Sequence, residues 1–333
     1  MESMTVDIDG YGGYVPLYRI DRSDVAEQHG TRASGESALP GPDENHVTMA
    51  GEAASTALAR ADSSAEDVDA VYTASVTDPF AEHGIAPHVT YRVGATGDVR
   101  TGDFQGSERA ATSAIAAAVD AIAAGSNAAL VVGVDSMPIE VGDDEEARAG
   151  AGAGACVLAD DADTAAATIE SIGQETTGFV ERHRKHGQAT EPRDERFEAR
   201  HGTAAAVGPA IERALVGSGS VEFVVVNTPS DRHTRSLPQV VSEAEEVSVR
   251  DEVGHAGAAS FLIDLTTLLE RSGGGVTGLA LDYGQGGADA IALSTGNGAG
   301  VDDTRTIDEQ LERKEYVSYG THLRYRPTTH DNL

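Results

Sequence analysis

The chain has 333 residues, 40% of them apolar, with 55 acidic against 24 basic residues and a net charge of −31. That length suggests one large domain or two closely packed halves, with enough apolar residues for a substantial core. Phosphate-backbone binding needs a basic surface, so nucleic acid is not an expected partner; no run is apolar enough for a membrane span and no basic-then-apolar leader opens the chain, so a cytoplasmic protein is expected.

In chain order, short apolar runs alternate with amphipathic helical stretches, the pattern of α/β layering. A strand is predicted at 5–9, a helix at 46–60 and a strand at 68–75. Residues 108–124 are alanine-rich and strongly helical. The continuous apolar run at 128–134 predicts a strand buried on both faces, with another at 154–159. The order then recurs: helix 203–215, buried strand 221–227, helix 256–270, strands 276–281 and 289–294. Such an echo predicts a duplicated α/β unit, with halves 1–165 and 166–333 and a site where they meet.

Two stretches stand outside these layers. Residues 143–152 are acidic and end in small residues, and 176–201 is charged, with Arg182, His183, Arg184, Lys185 and His186 together. Both are expected to be loops. The C-terminal segment 301–333 is aromatic near its end, which predicts that part of it docks and that its last residues fray. Acidic residues are dispersed, and Lys185 and Lys314 are the only lysines. A dispersed acidic excess suits high salt, where ions screen self-repulsion, and suggests a halophilic archaeal source. Cys156 is the sole cysteine, so intramolecular disulfides and cysteine metal clusters are excluded. Its apolar strand setting predicts a buried, inert thiol.

Specific stretches carry a resemblance. Residues 10–20 (Gly-Tyr-Gly-Gly-Tyr-Val-Pro-Leu-Tyr-Arg-Ile) and 35–44, followed by 71–79, 103–112, 179–197, 225–229, 254–260, 282–290 and 316–326, stand in the order of archaeal hydroxymethylglutaryl-CoA synthases. The chain resembles that family over nearly its whole length. The resemblance implies the thiolase fold, ketoacyl-synthase-III-like: an α/β protein of duplicated βαβαβ halves in a five-layered α-β-α-β-α sandwich, usually dimeric. It also implies acyl-CoA as ligand, no separate cofactor and no metal. The partners it implies are a second copy or a thiolase-fold paralogue, a thiolase and a small zinc-ribbon/OB-fold scaffold protein, in the mevalonate route to isoprenoids.

The family's chemistry rests on a cysteine acylated at a helix N-terminus, a glutamate acid/base and a histidine. Its nucleophile stretch, Phe-x-x-x-Cys-Lys-x-Gly-Thr, matches 104–112 here, so Glu108 takes the cysteine's place, or Ser107 with a one-residue shift. Val76 falls at the glutamate, Asn227 at the histidine of His-Gln-Pro-Asn, and His255 at the asparagine of Gly-Asn-Thr. All four positions differ. The structural alternative is that Ser107 is an N-cap and Glu108 a first-turn carboxylate suited to the helix dipole. A working nucleophile at Ser107 would need His255 as base. For the coenzyme A groove, Arg232 falls at a family lysine, and Arg235 lies next to Ser236, which aligns with a family arginine. Gln285, in the glycine-rich 284–287 stretch, resembles the family's turn near the active site, and no dinucleotide fingerprint is complete there.

The expectation is therefore a hydroxymethylglutaryl-CoA-synthase-like acyl-CoA protein that has lost its Cys/Glu/His set and serves as a degenerate CoA-binding or structural subunit. The alternative is an active acyl-CoA condensing enzyme with altered residues, using Ser107 or Glu108 with His255.

Overall fold

The computed structural model describes residues 5–77, 79–80, 82–143, 145–160, 162–180, 182–185, 191–192, 194–216, 220–229, 237–296 and 304–326. Its centre is a ten-stranded sheet made of two five-stranded halves. The first half runs β1 (Val6–Tyr14), α1 (His46–Ala59), β2 (Val68–Ser75), β3 (Arg100–Gln105), α2 (Ala110–Ala123), β4 (Ala128–Ser136) and β5 (Ala151–Ala159). The second runs β6 (Ala167–Thr176), α3 (Ala204–Ala214), β7 (Phe223–Asn227), β8 (Glu245–Glu246), α4 (Gly257–Arg271), β9 (Thr277–Gly284) and β10 (Gly287–Thr295).

Strand order is β1-β5-β4-β2-β3 in one half and β6-β10-β9-β7-β8 in the other, the same order displaced by five. The halves join through a short antiparallel seam, Val6 to Ile8 of β1 against Ala167 to Ile169 of β6. Helix α1 covers the outer face of the first half-sheet and α3 that of the second. Helices α2 and α4 contribute to a core shared by both half-sheets. This is the five-layered thiolase fold.

Local sequence explains the layers. All nine residues of β4 are buried, as a strand covered on both faces by helices must be. Helix α4 is buried all round from Gly257 to Leu269 even though Ser260, Asp264 and Thr267 align on one face, because each is satisfied inside the fold: Ser260 Oγ accepts from Ala256 N at 2.9 Å, Asp264 Oδ1 accepts from Val249 N at 2.9 Å and Thr267 Oγ1 donates to Ile263 O at 2.8 Å. Helix α1 opens with a capping box, the Asn45 side chain accepting from Thr48 N at 3.0 Å and Thr48 Oγ1 accepting from Asn45 N at 2.8 Å.

Several expectations shift. The stretch 176–201, expected to be a loop, holds a strand pair, Arg182–His183 against Glu191–Pro192, and a helical turn, Glu195–Glu198. The first strand extends to Tyr14, because the glycines of 10–13 let it lie against α1 and β5. Helix α2 begins at Ala110, not 108. The helix predicted at 203–215 starts as a π-helical turn, Ala199–Thr203, before α3. The segment 316–326 docks through a helix, Tyr319–Tyr325, with His322 and Arg326 fully buried; the residues after 326 lie outside the described set. No described helix is long and apolar enough to cross a membrane.

Candidate functional site

The parallel strands β2, β4, β7 and β9 end on one side of the molecule, and the N-terminal ends of α2 and α4 meet them there. Carboxyl ends of strands are where α/β sheets commonly place ligands.

Glu108 occupies the turn leading into α2. Ala110 N donates to Ser107 O at 3.1 Å, Ser107 Oγ accepts from Arg109 N at 3.2 Å, and Arg109 holds the cap position without a side-chain capping bond. The expected Ser107 N-cap is thus displaced by two residues, because the turn after Gly106 delays the first helical residue. Ser107 is half-buried, whereas Glu108 is fully buried. The Glu108 side chain fits because Gly284 faces it: a methyl group on Gly284 would lie 2.8 Å from Glu108 Cβ.

His255 precedes α4 and is fixed by its backbone. His255 N donates to Arg148 O at 2.7 Å, and Gly150 N donates to His255 O at 2.7 Å. Arg326 in turn holds that 149–150 segment, donating to Ala149 O at 2.7 Å and Gly150 O at 2.8 Å. Burial lowers the Arg326 pKa to about 9. His255 Nε2 lies 3.2 Å from Glu108 Oε1 in a pair that is almost wholly buried. No hydrogen bond joins His255 to Ser107 among the described contacts; the histidine takes the carboxylate instead.

Behind this pair lies a polar layer. Asn227, the last residue of β7, donates from Nδ2 to Asp282 Oδ1 at 3.2 Å and to Gly257 O at 3.4 Å. Asp282 is fully buried. Its pKa is pushed well up, chiefly by burial and then by the negative charges of Asp289 and Glu108; Arg109 and the Asn227 bond oppose this. Asp282 Oδ2 and Asn227 Oδ1 have no hydrogen-bond partner among the described residues. Arg109 neutralises Asp289 through two bonds, Nε to Oδ2 at 3.0 Å and Nη2 to Oδ1 at 2.6 Å, and Thr112 Oγ1 adds a third at 2.6 Å. Arg109 is therefore committed to one of three clustered carboxylates.

A cleft of about 160 Å³ opens in front. Val76, Gly106, His255 and Gln285 line it, with Glu146 and Arg184 among the charged groups. Val76 is held by its backbone, N donating to Asp135 Oδ2 at 2.9 Å, and presents an aliphatic side chain. Gln285 sits in the turn between β9 and β10. Of the basic cluster, His183 and Arg184 reach the cleft and Lys185 is exposed; the Arg182 side chain and His186 lie outside the described set. Arg232 and Arg235 also fall outside it. Glu146 is a buried hub, bonded by Tyr319 Oη at 2.9 Å, by Gly142 N at 2.7 Å and by His29 Nε2 at 2.9 Å.

The site therefore gathers Val76, His255 and Gln285 around one cleft, with Glu108 behind His255 and Asn227 linked through Asp282. Cys156 is elsewhere: it sits mid-strand in β5, 1% exposed, and burial pushes its thiol up to about 12. Sequence reading missed Asp282, Arg109 and Asp289. The readable signal was a charge closing an apolar run, Leu279-Ala280-Leu281-Asp282. No group of three or more described His, Cys, Asp or Glu residues has the geometry of a metal site.

No family model matches the chain. Among curated proteins it is 29% identical to a hydroxymethylglutaryl-CoA synthase of Methanopyrus kandleri, over 97% of this chain and 98% of that one. It is 26% identical to a synthase of the same name from Methanosphaera stadtmanae, over 96% and 97% of the two chains. Among solved structures, an HMG-CoA synthase complexed with CoA aligns with a TM-score of 0.80 at 17% identity, covering 97% of this chain and 90% of that one. A 3-oxoacyl-[acyl-carrier-protein] synthase III from Aquifex aeolicus aligns at 0.76 and 21% identity, over 87% and 99%. This chain has the thiolase fold and is similar, along almost its full length, to archaeal hydroxymethylglutaryl-CoA synthases.

Proposed function

We propose that this protein is a hydroxymethylglutaryl-CoA-synthase-like subunit that binds an acyl-CoA thioester without ever carrying the acyl group on a side chain. It is degenerate for the family's condensation and works beside a competent thiolase-fold chain. The observation that carries this reading is Glu108, a fully buried carboxylate at the position that the sequence resemblance aligns with the family's acylated cysteine. The one thiol in the chain is sealed inside β5. A carboxylate is a poor acyl acceptor, because a mixed anhydride is far more reactive than the thioester it would come from, and covalent acyl transfer needs an activated nucleophile. Val76 removes a second acid/base group, since an aliphatic side chain moves no proton.

The same reading takes the boundary between halves at 165/166, ahead of β6. It takes the surface as one adapted to high salt, and the partner as a second copy or a cysteine-bearing paralogue. Support for CoA as the ligand comes from the resembled fold, one member of which binds CoA in its solved structure. The test is calorimetric titration with acetyl-CoA in high salt, followed by intact-mass measurement. Saturable binding with unchanged protein mass is the expected result; an acylated protein would overturn it. One observation favours the alternative, an active acyl-CoA enzyme with altered residues: the hydrogen-bonded Glu108–His255 pair at the cleft.

A further inference from the structure

We infer that the Glu108–His255 pair makes this site a water-dependent acyl-thioester hydrolase. The inference rests on the reading that the cleft takes an acyl thioester, and it adds a reaction to that binding.

The argument starts from what remains when the thiol is gone. A carboxylate and an imidazole 3.2 Å apart, nearly dry, are a base and a proton carrier already aligned. His255 lines the cleft, and Glu108 lies directly behind it. Both are held rigidly, His255 by backbone bonds to Arg148 and Gly150, and Glu108 against Gly284. Asp282 keeps a neighbouring carboxyl whose Oδ2 has no partner among the described residues, and Asn227 an Oδ1 in the same state, both buried. Such buried polar atoms commonly mark the place of an ordered water, which can both donate and accept. The cleft is large enough to admit water beside a thioester carbonyl.

The reaction balances without any further reagent. A water oxygen bonds to the thioester carbonyl carbon while its proton passes to the Glu108–His255 pair. The tetrahedral adduct then breaks its carbon–sulfur bond, and the pair returns the proton to the departing thiolate. The products are a carboxylic acid and free coenzyme A. No carbon–carbon bond forms and no acyl-enzyme intervenes. The substrate class is a short acyl thioester, set by the small cleft with Val76 on its wall.

The test measures thiol release from acetyl-, acetoacetyl- and hydroxymethylglutaryl-CoA with the full chain in high salt. The single buried cysteine keeps the protein's own background low. Binding of each probe is titrated in parallel. In heavy-oxygen water the acid product should carry label while the protein mass stays unchanged throughout. Glu108→Gln and His255→Asn should each lower release at least about a hundredfold, with binding retained. Circular dichroism reports folding, and if Glu108→Gln does not fold, His255→Asn decides. Binding by the wild-type chain without release above the protein-free blank overturns hydrolysis and leaves the binding reading standing. Release undiminished in a folded variant also overturns it. Failure to bind any probe overturns the binding reading itself.

Discussion

The two halves place an aspartate near the end of equivalent strands, Asp135 in β4 and Asp282 in β9, and use it in opposite ways. Asp135 accepts from Ser75 Oγ at 2.8 Å, Val76 N at 2.9 Å, Thr77 N at 2.9 Å, Thr77 Oγ1 at 2.7 Å and Ala258 N at 2.8 Å. It stitches the loop after β2 to the head of α4. Among the described residues Asp282 receives one bond, from Asn227, and one of its oxygens has no partner. In each half the donor includes the last residue of the corresponding strand, Ser75 of β2 or Asn227 of β7. Duplicated architecture thus supplies two similar positions: in one the acid is satisfied and structural, in the other polar capacity is left open beside Glu108 and His255. Even with five donors, burial raises the Asp135 pKa to about 6, so desolvation is severe at both.

The largest expected effect comes from breaking the satisfied side. Asp135→Asn replaces an acceptor by a donor facing the amides of Val76 and Ala258. It should cost about 3 to 5 kcal/mol, by the penalty for disrupting a buried charge network, measured by denaturant unfolding in high salt. Arg109→Met should come next. It leaves Asp289 buried without its cation beside Asp282 and Glu108, for a loss of about 3 kcal/mol in the same assay. Gly284→Ala should cost about 1 to 3 kcal/mol, because the new methyl meets the Glu108 side chain, and it should depress thioester turnover by shifting that carboxylate.

The smallest effect sharpens the contrast most. Asp282→Asn should change stability at neutral pH by no more than about 1 kcal/mol, and in the stabilising direction. The Asp282 pKa rises on folding above its ordinary 3.8. The acid's contribution is therefore full below about pH 4 and is lost as pH rises toward the folded-state value. The variant, which cannot ionise, should lose less stability than wild type over that rise, as seen in denaturation midpoints across pH. Equal pH dependence in the two proteins would mean that Asp282 is ionised in the folded state without penalty.

Much of the fold was legible because it is written in local signals. Apolar runs marked β4, β7 and β9, and the alanine-rich stretch marked α2. The start of α2 was misread because Ser-Glu-Arg at 107–109 resembles a cap and first turn, while the turn after Gly106 postpones the helix. At the site, Glu108, Val76, Asn227 and His255 were singled out by the positions to which the sequence resemblance aligns them. Their wiring was not: Glu108 meets His255 across 147 positions, and Arg109 meets Asp289 across 180. Such pairings depend on how the half-sheets stack, which no local pattern states. The stacking also turned the acidic stretch at 143–152 from a plain loop into a cleft wall, with Glu146 buried.

The most direct measurement compares the intact mass of the wild-type chain with that of Glu108→Cys after incubation with acetyl-CoA in high salt. A thiol placed beside His255 at the head of α2 should gain an acetyl group, while the wild-type mass stays unchanged. Acetylation of the wild-type chain, on Ser107 or any other residue, would contradict the account.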